Sequence, residues 1–158
     1  MKIAPAGQLQ GALTLPGDKS ISHRAALLSA MATGEGETRL ENFATSADCA
    51  STLACLEKLG VGVRREGQTV WIEGVGKTGF RAPREPLDCG NSGTTLRLLA
   101  GILAGQNFDA VLTGDDSLRK RPMKRIIEPL SRMGARLETA AAAAESGSFS
   151  APLKICGG

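Results

Sequence analysis

Two stretches, "LEKLGVGV" at Leu56–Val63 and "LSRMGARL" at Leu130–Leu137, decide the fold between them. Laid over each other at an offset of 74 residues, they match in type at Leu56 and Leu130, Leu59 and Met133, Gly60 and Gly134, and Val63 and Leu137. Each reads as the end of a helix, a glycine stop and a following strand, because glycine closes a helix in the left-handed conformation without a Cβ clash. Further upstream Leu27 falls on Leu98, Leu28 on Leu99 and Gly34 on Gly105, now at an offset of 71. The chain therefore carries an internal repeat of about 70 residues.

The fold class is α/β (α+β), with repeated units that each read βαβαββ. In the first copy Ser22–Thr33 reads as a helix with Ala26, Leu27, Ala30 and Met31 on one face, at the spacing of a single apolar stripe. "TRLENF" (38–43) alternates as a strand, and "TSAD" (45–48) has capping-box spacing before a helix that runs to Leu59. "VGVRR" and "TVWIEG", joined by Glu66, Gly67 and Gln68, read as a hairpin. In the second copy "NSGTTLRLLAGILAG" is a helix, "FDAVLTG" a strand, and "RPMKRIIEPLSRMG" a helix opened by Pro122 and closed by Gly134. "ARLET" follows as a strand. Where the first copy turns tightly, the second has the low-complexity "AAAAAESGSFSAP", expected to be a mobile loop near 139–151, before the returning strand "LKICGG".

The expected division is an initial segment at 1–14, a first unit at 15–82 and a second at 83–158. Repeats bury their apolar faces against neighbours and need about three copies or a cap. Two copies should leave an apolar face uncovered, so the chain is expected to be part of something longer or to pair with another chain.

At 158 residues, 42% hydrophobic and 22% charged, the composition is that of an ordinary globular domain. No apolar run reaches the ~20 residues of a bilayer span, and "MKIAPAGQLQG" lacks the apolar core of a secretory signal. A cytoplasmic protein with no membrane partner is expected. The four cysteines form no C-x-x-C pair and His23 is the single histidine, which argues against a zinc site. In a reducing compartment the thiols read as small buried hydrophobes. A net charge of +3 does not call for a polyanion, and five aromatics without tyrosine make a poor platform for stacking bases, so nucleic acid is not an expected partner.

Charge placement is more informative. Helix N-termini carry partial positive charge and free N–H groups, which favours acidic residues there. Here Lys19 and Arg24 flank the start of the first helix, and Arg119, Lys120 and Arg121 precede Pro122. Such clustering makes sense when an anion sits in front of the helices. Ser20 and Arg24, four apart, would share a face. "CGNSGTT" (89–95) offers backbone N–H groups, with Gly93 allowing close approach, and Arg97 lies one turn into an apolar helix. Alone, each cluster has an ordinary explanation as a cap, a solvated cation or a self-neutralising turn. Three at helix starts imply a cationic pocket for a ligand with more than one anionic group. A Walker A loop is excluded, because Asp18 stands where glycine must precede the lysine. No G-x-G-x-x-G follows a strand either, so a dinucleotide fold is unsupported.

"LPGDKSISHRAALLSAMATGE", "DCGNSGTTLRLLAG" and "LTGDDSLRKRPMKRIIEPL", in that order, resemble the N-terminal part of the 5-enolpyruvylshikimate-3-phosphate synthase family. The sister family, UDP-N-acetylglucosamine enolpyruvyl transferase, shares the repeat but typically has Ala-Lys-Asn where this chain has Asp18-Lys19-Ser20. The resemblance implies transfer of the enolpyruvyl group of phosphoenolpyruvate to the 5-hydroxyl of shikimate 3-phosphate, with release of phosphate and without metal or organic cofactor. It implies a two-lobed fold of three βαβαββ units per lobe, of which this chain would be about two, with residues 1–14 belonging to the other lobe. Lys19 and Arg121 would be the catalytic residues. Lys19, Ser20 and Arg24 would hold shikimate 3-phosphate, and Lys19, Gly93 and Arg121 phosphoenolpyruvate, with Asn91, Thr94, Asp48 and Arg97 in support. The acid/base residues, the third unit and the second lobe would lie outside these 158 residues, leaving the chain alone inactive and the remainder of the enzyme as its partner. Sensitivity to glyphosate is implied too, with Leu98 standing where several members have proline. The competing reading is a non-catalytic anion-binding domain.

Overall fold

The structure, a computed structural model, describes residues 7–8, 10–139 and 149–158. The first half forms α1 (Lys19–Ala30), β1 (Glu37–Leu40), α2 (Ala47–Lys58), β2 (Gly62–Glu66) and β3 (Thr69–Glu73). The second forms β4 (Leu87–Asp88), α3 (Gly93–Leu103), β5 (Ala110–Thr113), a 3-10 turn at Leu118–Lys120, α4 (Lys124–Arg132), β6 (Arg136–Thr139) and β7 (Leu153–Cys156). It is a mixed α/β architecture with two sheets. One has the order β1-β3-β2, antiparallel throughout, and the other the order β4-β5-β7-β6, with β4 and β5 parallel and the remaining pairs antiparallel.

Local chemistry accounts for most of these elements. The β2–β3 hairpin turns at Gly67, whose φ of 60° is open to glycine at no steric cost. Gly60 (φ 85°) and Gly134 (φ 98°) end α2 and α4 in the left-handed conformation. Val70 and Ile72 of β3, Leu112 of β5, and Leu153 and Ile155 of β7 alternate inward and are fully buried with Leu56, Leu96 and Leu99 of the helices. α1 and α2 pack on the first sheet and α3 and α4 on the second, while α3 also meets α1 and α2. That helix–helix seam joins the two halves into one core.

Three details differ from the sequence reading. α2 is capped one residue later than the capping box implies, by Ser46, whose Oγ accepts the Cys49 N–H at 3.4 Å. α4 begins at Lys124, not at Pro122. Arg121 precedes a proline and is pushed to an extended backbone (φ −78°, ψ 137°), and the Met123 N–H donates to the Phe149 carbonyl at 2.6 Å. The described residues before Lys19 form no strand, and Leu13 and Leu15 are exposed. The loop expected at 139–151 falls mostly outside the described residues.

Large apolar side chains also remain uncovered on the helices. Ile21 and Leu28, seven apart on α1, are 68% and 64% exposed, and Met133 is 82% exposed where its counterpart Leu59 is fully buried.

Gly114, directly after β5, lies where the chain passes close to the Gly90 carbonyl. A Cβ there would press on that oxygen and come 2.5 Å from Leu118 Cδ2. Gly114→Ala should therefore destabilise the fold by about 1–3 kcal/mol through overpacking, read as a lower thermal midpoint.

Candidate functional site

The N-terminal turn of α1 is shaped by Asp18, whose carboxylate accepts the Ile21 N–H at 2.7 Å and so caps the helix. With Asp18 as the cap, the Ser20 hydroxyl is not needed to finish the helix. Lys19 forms an ion pair with Asp48 in the first turn of α2, a carboxylate that also suits that helix's dipole. Arg24 extends along the same exposed face as Ser20, its Nη1 donating to the Ser20 carbonyl at 3.0 Å. Lys19, Ser20 and Arg24 thus lie within the first two turns of α1, with Ser20 and Arg24 on one face as their spacing predicts.

The second half of the site lies at the carboxyl ends of two parallel strands, where open α/β sheets characteristically place ligands. Parallel pairing continues past β4 and β5: the Cys89 N–H donates to the Thr113 carbonyl and the Asp115 N–H to the Gly90 carbonyl, each at 2.9 Å. Gly90 takes a φ of 56° to make the turn, and Ser92 caps α3 by accepting the Thr95 N–H at 3.1 Å. Gly93, the first residue of α3, lies beneath two guanidinium groups. A Cβ built on it would be 2.5 Å from Arg97 Nη1 and 3.5 Å from Arg121 Nη1. The absence of that carbon lets the Arg97 guanidinium approach the helix end, while Arg121 stands at ordinary contact distance.

Arg121 is held from the side. Its Nη2 donates to Asn91 Oδ1 and, at 3.4 Å, to Ser117 Oγ. Asn91 in turn donates through Nδ2 to Asp115 at 2.7 Å, which turns the amide oxygen toward Arg121. The Asn91 hydrogen bond, followed by the Leu118 N–H, holds the Asp115 carboxyl below the usual carboxylate range.

A chain of buried side chains joins the two halves. His23 Nδ1 meets Thr52 Oγ1 at 2.7 Å, Thr52 meets Thr95 Oγ1 at 2.7 Å, and Thr95 contacts Ser92 Oγ at 2.7 Å and the Asp48 carbonyl at 3.3 Å. The N-terminal turns of α1, α2 and α3 are therefore pinned together. His23 is fully buried and its Nε2 has no partner among the described residues. Burial, followed by the Lys19 charge, pushes its pKa below the ordinary 6.5, with Asp48 opposing and Arg24 adding to the shift. The unfolded chain takes up this proton near pH 6.5 and the folded chain only at lower pH. Stability from neutral His23 is therefore complete above about pH 6.5 and is lost as pH falls from there toward the lowered value. Urea midpoints at pH 7 and pH 5 should fall less for His23→Gln than for the wild type.

Lys19, Asp48, Asn91, Gly93, Arg97 and Arg121 come together in this arrangement, with Ser20 and Arg24 on its α1 side and Thr94 half-buried in the first turn of α3. Arg119 and Lys120 do not join them. Arg119 pairs with Asp116 at 2.6 Å and Lys120 is exposed on the 3-10 turn. Sequence reasoning missed the supporting polar groups His23, Thr52, Ser92, Thr95 and Asp115. The available signal was spacing, since His23 lies four residues after Lys19 and Thr52 four after Asp48, on the same helical faces. The site is an open face: the 440 Å³ concavity lined by Glu57, Lys58, Arg81 and Arg84 lies elsewhere. Among the described residues no group of three or more His, Cys, Asp or Glu comes together as a metal centre requires. No helix among them is long and apolar enough to cross a membrane. The Cys89 thiol is pushed upward by its hydrogen bond to Cys55 and by burial, which favours its protonated form.

Fold and site together define a mixed α/β domain that gathers exposed cations around the first turns of its helices. The model of the EPSP synthase (3-phosphoshikimate 1-carboxyvinyltransferase) family matches residues 3–157, and the chain belongs to that family. It is 58% identical over 137 residues to a 3-phosphoshikimate 1-carboxyvinyltransferase of Roseiflexus sp. (strain RS-1), covering 86% of this chain and 31% of the relative. Against one from Desulfitobacterium hafniense (strain DSM 10664 / DCB-2) it is 51% identical over 158 residues, covering all of this chain and 35% of the relative. The structure of EPSP synthase from Acinetobacter baumannii superposes with a TM-score of 0.85 at 44% identity, over 94% of this chain and 32% of that one. The chain thus spans about a third of the length of the relatives it matches.

Proposed function

We propose that this chain supplies one wall of an enolpyruvyl transferase site, in which phosphoenolpyruvate and shikimate 3-phosphate react to give the 5-enolpyruvyl ether and inorganic phosphate. The observation that carries the reading is Gly93 at the start of α3, with the Arg97 and Arg121 guanidinium groups over it and the Lys19–Asp48 pair joined to the same helix end through Thr95.

In this reading Lys19, Ser20 and Arg24 hold shikimate 3-phosphate. Lys19, Gly93 and Arg121 hold phosphoenolpyruvate, with Asn91, Thr94, Asp48 and Arg97 in support. Attack of the 5-hydroxyl on C2, with protonation of the neighbouring methylene, gives a tetrahedral intermediate that keeps both phosphate and carboxylate. Loss of phosphate and of one proton restores the enol ether. Fixed cations and backbone N–H groups stabilise that charge without reorganising during the reaction. The carbon-directed acid and base are assigned to the part of the enzyme beyond these 158 residues, in keeping with relatives about three times as long.

The division into two βαβαββ units, 15–82 and 83–158, after an initial segment at 1–14, belongs to the same proposal. It is supported by the shared strand order, β1-β3-β2 beside β5-β7-β6, antiparallel in both. Four free cysteines, three of them buried, suit a reducing compartment, and the cytoplasm is the assigned location. Isothermal titration with shikimate 3-phosphate tests the reading. The wild-type chain should bind it and Arg24→Ala should bind far less well. Binding of nucleic acid that weakens steeply with salt, without response to shikimate 3-phosphate, would instead mark a phosphate-backbone binder.

A further inference from the structure

Beneath the Lys19–Asp48 ion pair lies a second rung. His23 is one turn below Lys19 on α1, Thr52 is one turn below Asp48 on α2, and the two meet at 2.7 Å. Thr95, in the first turn of α3, closes on Thr52 at 2.7 Å. Each hydroxyl has one proton to give, and the Asp48 carbonyl can only accept. The arrangement that satisfies most groups runs outward: His23 Nδ1–H donates to Thr52, Thr52 to Thr95, and the Thr95 hydroxyl to Ser92 Oγ at 2.7 Å, with the Asp48 carbonyl as its second acceptor at 3.3 Å. Among the described residues it leaves the His23 Nε2 as the buried side-chain nitrogen without a partner. The reverse direction would strand a buried N–H donor, which folded proteins avoid more strictly than an idle acceptor.

We propose that Thr52 and Thr95, anchored by His23, are positioning residues for the anion site: their hydroxyls lock the second turns of α1 and α2 and the first turn of α3 into one body. Lys19, Gly93 and the guanidinium groups above Gly93 then meet a ligand already in register. The inference rests on the anion-site reading given above. Its physical basis is pre-organisation, since a site whose three walls move separately must be ordered when the ligand arrives and loses affinity by that cost. Thr52 and Thr95 are fully buried, and neither is placed at the ligand.

Valine replaces threonine with nearly the same shape but no hydroxyl, leaving Ser92, the Asp48 carbonyl and His23 short of partners. Titration of the 158-residue chain with shikimate 3-phosphate should show about tenfold weaker binding for Thr95→Val and for Thr52→Val. Thr95→Ser should restore affinity to within about threefold. Because one chain of bonds is broken in either case, the double valine variant should lose about the same tenfold rather than a hundredfold. Amide exchange at Leu96, whose N–H closes the first turn of α3 on the Ser92 carbonyl, should quicken in Thr95→Val without ligand. The relay is overturned if Thr95→Val binds like the wild type while Arg24→Ala is weakened, if Thr95→Ser is as weak as Thr95→Val, or if exchange at Leu96 does not change. Absence of binding by the wild type overturns the anion-site reading, and the relay with it.

Discussion

Arg24→Ala should bind shikimate 3-phosphate about thirtyfold more weakly than the wild-type chain, with the fold intact. Arg24 is exposed, and its only hydrogen bond among the described residues is to the Ser20 carbonyl, one turn back on its own helix. That bond directs the guanidinium toward the end of α1 where Lys19 and the Ser20 hydroxyl sit. A hydrogen bond to a charged group contributes about 1.5–3 kcal/mol, and 1.4 kcal/mol is a factor of ten, so losing one phosphate contact falls in this range. Alanine is at least as good a helix former as arginine, so stability should be unchanged or slightly higher. Affinity and thermal midpoint should therefore move independently. Equal binding by the two proteins would remove Arg24 from the site.

Gly93→Ala should weaken phosphoenolpyruvate, and glyphosate as its competitor, by about ten- to a hundredfold, measured by titration in the presence of shikimate 3-phosphate. The new carbon would stand 2.5 Å from Arg97 Nη1, closer than real contacts allow, and 3.5 Å from Arg121 Nη1. A flexible guanidinium relieves the clash by moving away, which removes the cation from the place where the ligand needs it. The backbone here is the first turn of a helix, with no positive φ to forbid a side chain. Alanine should in fact favour that helix by a few tenths of a kcal/mol to about 1 kcal/mol. Weaker binding alongside equal or greater stability is the signature to look for, and unchanged affinity would show that the space over Gly93 is not used by the ligand.

The contrast between what the sequence made visible and what it hid follows from the range of the interactions. The β2–β3 hairpin is written into adjacent residues, since Gly67 between two alternating runs needs no distant partner. The helix stops at Gly60 and Gly134 are equally local. The start of α4 was misread because Pro122 does suit a first helical position. What moved the start to Lys124 was the Met123–Phe149 hydrogen bond, between residues separated by the low-complexity loop. Lys19, Ser20, Arg24, Gly93 and Arg121 stood out as candidate site residues because unusual charge and an unusual lack of side chain contrast with ordinary helix starts. The His23–Thr52–Thr95 chain joins residues 29 and 43 positions apart. Each is an unremarkable polar residue on a helix, and only the packing of three helices reveals the set.

The Lys19–Asp48 pair, finally, gives the resting protein an internal competitor. An anion that claims Lys19 must displace a carboxylate or share the lysine with it, and that carboxylate is tethered in place, so its local concentration never falls. Weak monoanions such as chloride or acetate contend with a rival of their own kind that cannot diffuse away. A phosphate bearing two charges, engaged at the same time by a neighbouring guanidinium, has the advantage. In the proposed site the pair would therefore set a threshold on ligand charge that background monoanions do not meet.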